Sequence, residues 1–262
     1  MPRVGAVAAS GVATLTIDNA ARRNSLTLEM WQQFAPILDR LAADPGVKVL
    51  VIRGAGDNFS SGADIRDLPA IFEGPTDGGW VTEAEDAIAA FPKPTIAAID
   101  GFCVGGGWEI AGACDIRIAS SRATFGVTPA RIGIVYPLSG IRRLVTIAGP
   151  AVAKLLLLTG ELIDAGRAYE FGMVTRVIEP ADFWSAVDEF ALELSTRSQL
   201  STNSMKELVD LLAEDATPST VAERLQFWLG EAARSDDPAI GAAAFLARTD
   251  PRFTWHRASP RV

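Results

Sequence analysis

Residues 93–120 read KPTIAAIDGFCVGGGWEIAGACDIRIAS, and the order of apolar, small and charged residues in this stretch decides how the chain is built. TIAAIDG, 95–101, follows a Pro-Lys-Pro break as a short apolar run, the pattern of a buried strand. Gly105, Gly106 and Gly107 separate it from the apolar stretch Trp108–Ala113, which reads as a helix, and DIRIAS, 115–120, resumes strand character. Glycines between a strand and a helix permit close backbone approach. Glu109, two residues past the last glycine, falls in the first helical turn, where the helix dipole favours a carboxylate.

Outward from this stretch the same alternation continues. VATLTID, 12–18, alternates like a half-buried strand, and Thr27 is placed to cap a helix running to about Leu41. VKVLVIRG, 47–54, reads as a strand covered on both faces. The Gly- and Ser-rich loop Gly54–Gly62 leads into ADIRDL, and residues 81–91 are helical in pattern. Residues 150–158 and 164–171 read as two helices flanking Thr159-Gly160, and VTRVIEP, 174–180, as one more strand. Beyond Pro180 only helical periodicity remains, over 182–213 and 218–233. The expected organisation is an α/β core over residues 1–180 followed by a helical region over 181–262.

A second small-residue loop, DNFSSGADIRDL at 57–68, precedes an expected helix, where Gly62, Ala63 and Asp64 are placed to offer N–H groups to an anion or a carbonyl oxygen. Taken alone, this loop reads more simply as a tight turn, and Glu109 equally as a helix-start charge. Neither glycine run is a nucleotide fingerprint, because Ile110 stands where a third glycine would complete G-x-G-x-x-G, and no P-loop motif occurs.

Composition removes several classes. A formal charge of -8 argues against a generic nucleic-acid binder, which needs a basic face. The single histidine, His256, leaves almost nothing from which to build a Ser-His-Asp system or a multi-histidine metal site, so no metal is expected. No apolar run reaches the length of a membrane span, the start lacks a secretory h-region, and two cysteines, Cys103 and Cys114, make no disulfide framework. The expected compartment is the cytoplasm.

Six ordered blocks resemble the crotonase (enoyl-CoA hydratase/isomerase) superfamily: TLTIDNAARRNSLT, FSSGADIRDL, the stretch 93–120, FGVTPARIGIVYPLSGIRRL, LLLTGELIDAGRAYEFGMVTRVI and AAAFLARTDPRF. The resemblance implies a crotonase-like α/β fold, a spiral of strand-strand-helix units with a C-terminal helical region that drives trimerisation, often into hexamers. It implies an acyl-CoA substrate, with coenzyme A present as part of that substrate and no separate cofactor. Family oxyanion-hole amides fall on Ala63 and Gly106, flanked by Gly62, Asp64 and Ile65. Contacts to the nucleotide part of coenzyme A fall on Arg66 and Arg248, with Arg23 as a further candidate.

Glu109 matches the first of the two family hydratase glutamates, whereas the position of the second holds Pro129, which cannot move a proton. The altered segment TPARIGIVYP resembles that of methylmalonyl-CoA decarboxylase, placing Tyr136 beside a substrate carboxylate, although that enzyme has a histidine where Ala63 stands here. Tyr136 and Arg131 are thus candidates to shape the pocket opposite Glu109, and Phe72, Trp80 and Trp108 to line it. Three functions follow as expectations: an acyl-CoA lyase of the hydratase type, a decarboxylase, or an acyl-CoA-binding subunit with little turnover. The Clp protease shares this superfamily fold, but a peptidase reading lacks a histidine in the half of the chain that would need one.

Overall fold

A computed structural model gives the structure of residues 1–256. The elements in chain order are β1 (Arg3–Ala9), β2 (Val12–Asp18), α1 (Leu28–Gln32), α2 (Phe34–Ala43), β3 (Val49–Gly54), α3 (Leu68–Phe72), α4 (Gly79–Ala89), β4 (Thr95–Ile99), β5 (Phe102–Val104), α5 (Gly106–Ala113), β6 (Ile116–Ser120) and β7 (Thr124–Gly126). They continue as α6 (Pro129–Ile132), α7 (Leu138–Thr159), β8 (Leu162–Asp164), α8 (Ala165–Glu170), β9 (Arg176–Ile178), α9 (Phe183–Ser195), α10 (Gln199–Ala213), α11 (Pro218–Arg234) and α12 (Asp237–Ala247).

The main sheet has the order β1-β2-β3-β4-β6-β9, with β1 antiparallel to β2 and the remaining pairs parallel. A smaller sheet, β5-β7-β8, stands apart from it. Parallel strands need both faces covered. On one face Leu15, Leu50, Ile52 and Ala97 join a large core with Trp31, Phe34, Trp108 and Leu144; on the other, Val49, Val51, Ile96 and Ile118 pack against Phe183, Val187 and Ala191 of α9. This explains the continuous apolar run of β3. Cys103 and Cys114 are both buried as free thiols. No helix among the described residues is long and apolar enough to cross a membrane.

Several expectations need correction. The helix from Thr27 is two helices meeting at Gln33, although Thr27 does cap the first by accepting from Met30 N. The helix read over 150–158 begins at Leu138 and bends at Gly149 (φ 78°), where Pro150 has no N–H to contribute. The segment read as helical over 164–171 opens from a three-residue strand, β8, with Asp164 capping α8. The span 182–213 is broken after Ser195, and a further helix, α12, follows Asp236. Strand β1 was not expected; its pattern is mostly exposed, and its ladder with β2 holds it. The helical region expected over 181–262 reaches Ala247 in α12, and residues 257–262 lie outside the described residues.

Candidate active site

Two loops meet in front of α5. Leu26 bridges to Ala63 in parallel fashion, Leu26 N donating to Gly62 O and Asp64 N to Leu26 O, both at 2.8 Å. A parallel bridge of this kind uses the amides on either side of Ala63 and leaves the Ala63 N–H unused. The residues after it were expected to open a helix at once. Instead Ala63 is held in the bridge, residues 65–67 form a turn, and α3 starts only at Leu68, so the bridge with Leu26 and not a helix end frees this N–H.

The other amide is a helix end. Gly105 N donates to Gly126 O at 2.8 Å and Glu109 N to Gly105 O at 3.1 Å, which places Gly106 at the first position of α5, outside the helical ladder. Among the described residues neither Ala63 N nor Gly106 N has an acceptor. The two nitrogens are neighbours. A methyl built on Gly106 would lie 3.3 Å from Ala63 N and 2.7 Å from the Trp31 ring, and one built on Gly62 (φ 92°) would lie 2.9 Å from Gly106 N and 2.7 Å from Val104 O. Both positions therefore require glycine, Gly62 for its backbone conformation as well.

Glu109 projects from the first turn of α5 and is buried, and its Oε1 has no hydrogen-bond partner among the described residues. Gly140 in α7 makes room for it, since a methyl there would sit 3.0 Å from that Oε1 and 3.1 Å from Cε1 of Tyr136. Burial pushes the Glu109 carboxyl well above the usual carboxylate range and the nearby Glu85 adds to this, while Arg143 and the Tyr136 hydroxyl pull the other way. Burial and the same two glutamates push the Tyr136 phenol up as well, so it stays neutral and donates to Gly105 O at 3.1 Å. Pro129, where a second glutamate was sought, is buried at the first position of α6.

The remaining sequence candidates divide. Asp64 is buried and accepts from Arg66 through Nε at 2.9 Å and Nη2 at 2.5 Å, and this guanidinium holds its carboxyl down to about 2. Ile65 is exposed beside it. Arg23, left-handed at φ 52°, lies over the Phe102 ring at 4.7 Å. Arg131 packs its stem against Gly160, and Arg248 is the left-handed residue that closes α12; no contact among the described residues joins either to the two amides. Trp108 is a core residue set edge-on to Phe125, whereas Phe72 and Trp80 are only partly buried.

Sequence reasoning missed Trp31, which walls Gly106, and the group formed by Glu85, Ser139 and Arg143. Glu85 is fully buried on α4, accepts from Ser139 Oγ at 2.7 Å and has Arg143 Nη1 3.4 Å from its Oε1. A signal was present: Glu85 shares a helical stripe with Val81, Ala84 and Ile88, a face that otherwise is apolar. A cleft of about 910 Å³ opens beside this group, lined by Thr82, Ser139, Arg143 and Lys206 among others; neither Ala63 nor Gly106 lines it.

Comparison with known proteins places this arrangement. Residues 8–256 match the enoyl-CoA hydratase/isomerase family, and the chain belongs to that family. It is similar to (E)-benzylidenesuccinyl-CoA hydratase of Thauera aromatica, 34% identical over 92% of this chain and 95% of the relative. It is also similar to a probable enoyl-CoA hydratase of Bacillus subtilis, 33% identical over 92% and 95%. Among solved structures, an enoyl-CoA hydratase/isomerase family member superimposes with a TM-score of 0.93 at 41% identity, covering 98% of this chain and all of the other. A putative enoyl-CoA hydratase/isomerase family protein of Hyphomonas neptunium gives a TM-score of 0.89 at 33% identity, covering 97% and 98%. The fold is the crotonase fold, with two sheets and a helical C-terminal region, and the family implies an acyl-CoA substrate.

Proposed function

We propose that the protein is an acyl-CoA lyase of the enoyl-CoA hydratase type, in which the Ala63 and Gly106 amides hold the thioester oxygen and Glu109 moves the proton. One observation carries this reading: two neighbouring N–H groups without acceptors among the described residues stand at the head of the helix whose first turn bears a buried carboxyl with an unpartnered oxygen. When water oxygen bonds to Cβ of an enoyl thioester, the C=C electron pair moves onto the thioester oxygen. Each preorganised donor there contributes about 3 to 4 kcal/mol. One carboxylate serves both halves of the addition, taking the water's proton and returning it to Cα.

A second reading, decarboxylation, is favoured by the burial that pushes the Glu109 carboxyl up toward its protonated form and by Tyr136 beside it. Breaking the bond to a substrate carboxylate releases carbon dioxide and leaves the electron pair in a thioester enolate that the same two amides can hold. Glu109 then needs only to give a proton to carbon, and Pro129 is no handicap. Arg66 and Arg23, both near the amide loops, suit the phosphates of coenzyme A. The exposed Phe245 and Leu246 of α12 support assembly with further copies into a trimer or hexamer, which light scattering would test.

The experiment is a mass-spectrometric screen of thioesters, crotonyl-CoA and methylmalonyl-CoA included, with Glu109→Gln as control. Water addition lost in the variant supports the hydratase reading, and release of carbon dioxide lost in Tyr136→Phe supports the decarboxylase. Tight binding without turnover across the screen overturns both in favour of an acyl-CoA-binding subunit.

A further inference from the structure

Glu109 is not the only buried carboxyl behind the amides. Glu85 has no exposed surface, and like Glu109 it keeps one carboxyl oxygen, Oε1, without a hydrogen-bond partner among the described residues. The two helices that carry them, α4 and α5, pack together, and α7 packs on both. From α7, Gly140 abuts Glu109 Oε1 while its neighbour Ser139 donates to Glu85 Oε2 at 2.7 Å. Arg143, one turn further along α7, places Nη1 3.4 Å from Glu85 Oε1 and donates from Nη2 to Asp86 at 2.8 Å.

We propose that Glu85 is a positioning residue for Glu109: the two form a buried carboxyl pair with a single cation, Arg143, facing it, so that they hold one proton between them and Glu85 decides when Glu109 gives its own up. This rests on Glu109 being the acid/base group. The physical reason is that two carboxylates sharing a low-dielectric site cannot both ionise against one guanidinium that is itself divided with Asp86. Burial pushes the Glu85 carboxyl up to about 7 and Asp86 adds to this, while Arg143 and Ser139 pull the other way; on Glu109, Glu85 acts in the same sense as burial.

The groups that face Glu85 are Glu109 from α5, Ser139 and Arg143 from α7, Tyr136 from the turn before α7, and Asp86 on its own helix. Helices α1, α2 and α3 also pack on α4, and what they bury is apolar, Trp31, Phe34, Leu38 and Ile71 among it. The pair reaches solvent through hydroxyls. Glu85 Oε2 meets Ser139 Oγ, which lies 3.1 Å from Thr82 Oγ1, and Ser139 and Thr82 both line the 910 Å³ cleft. Protons therefore enter the pair from a side that the amides do not line.

The test is the pH dependence of kcat/KM, on whichever thioester the wild type converts, for the wild type, Glu85→Gln and Arg143→Gln, with Glu109→Gln as reference. Removing the like charge moves the limb that reports Glu109 to lower pH by roughly one unit in Glu85→Gln, and removing the cation moves it up by roughly as much in Arg143→Gln. Opposite shifts are not what lost packing produces. Limbs of both variants that superimpose on the wild type, with Glu109→Gln inactive, overturn the proposal and leave the acid/base reading standing. A Glu109→Gln variant with wild-type turnover overturns both. Where Glu85→Gln does not fold, Arg143→Gln decides alone, an unmoved limb counting against the pair. Where no thioester is turned over, carbon-13 titration of the Glu109 carboxyl reads the same shifts, and their absence overturns the proposal.

Discussion

Tyr136 donates its hydroxyl to Gly105 O at 3.1 Å, so the side chain beside Glu109 grips the same planar peptide unit whose other edge is the Gly106 N–H. Gly105 O also accepts from Glu109 N at 3.1 Å. Two donors on one carbonyl polarise the peptide and strengthen its N–H as a donor in turn.

Tyr136→Phe is therefore expected to lower kcat by about tenfold, the loss of roughly one hydrogen bond's net worth, with KM changed less than about twofold. Steady-state kinetics on the converted thioester checks this. A KM effect with kcat intact would place Tyr136 on the substrate and not on the peptide.

Gly106→Ala is expected to cost at least about 100-fold in kcat with the fold kept, because its methyl would land 2.7 Å from Trp31 and 3.3 Å from Ala63 N. The clash is with the far edge of the indole, which phenylalanine lacks. Trp31→Phe in the same chain should recover part of the loss, and circular dichroism should show both variants folded.

For Glu85 the sign of the pH effect follows from a folded-state value near 7 against an ordinary 4.5. The folded protein binds the extra proton, so this group lowers stability progressively as pH rises from about 4.5 to about 7. Glu85→Gln removes that dependence. Urea unfolding at both ends of the window should show the variant gaining on the wild type at the higher pH; a gap constant with pH would contradict the buried-carboxyl account.

Asp64 works in the opposite sense. Arg66 holds it at about 2 against an ordinary 3.8, so its contribution is present above 3.8 and is lost as pH falls through about 2. Asp64→Asn is expected to be less stable than the wild type near neutrality, the difference closing in strong acid. Unfolding curves that run parallel across that range would count against the Arg66 pair.

Much of this was legible in the chain, and the reasons differ by element. β3 and β4 announce themselves because strands covered on both faces must be apolar throughout, and Glu109 because a carboxylate follows a glycine run into a helix. Strand β1 has no such signature, its residues being held by a partner and not by burial. The Ala63 amide was sought at a helix start and lies instead at a bridge with Leu26, a long-range pairing that local pattern does not encode. Pro129 drew attention to the missing glutamate, while Glu85 passed unremarked as one charge in an amphipathic helix; only packing against α5 and α7 gives it meaning.

The reciprocal fit of Gly62 and Gly106 has a one-sided consequence. Each already presents nothing larger than hydrogen to the other loop's nitrogen, so the loops stand at closest approach: fluctuation can spread the two donors but has no room to draw them nearer. Warming, solvent penetration or a loosened α5 should therefore only slacken the grip on an oxygen. An improved variant would come from stiffening the flanks, since squeezing the gap has nothing left to give.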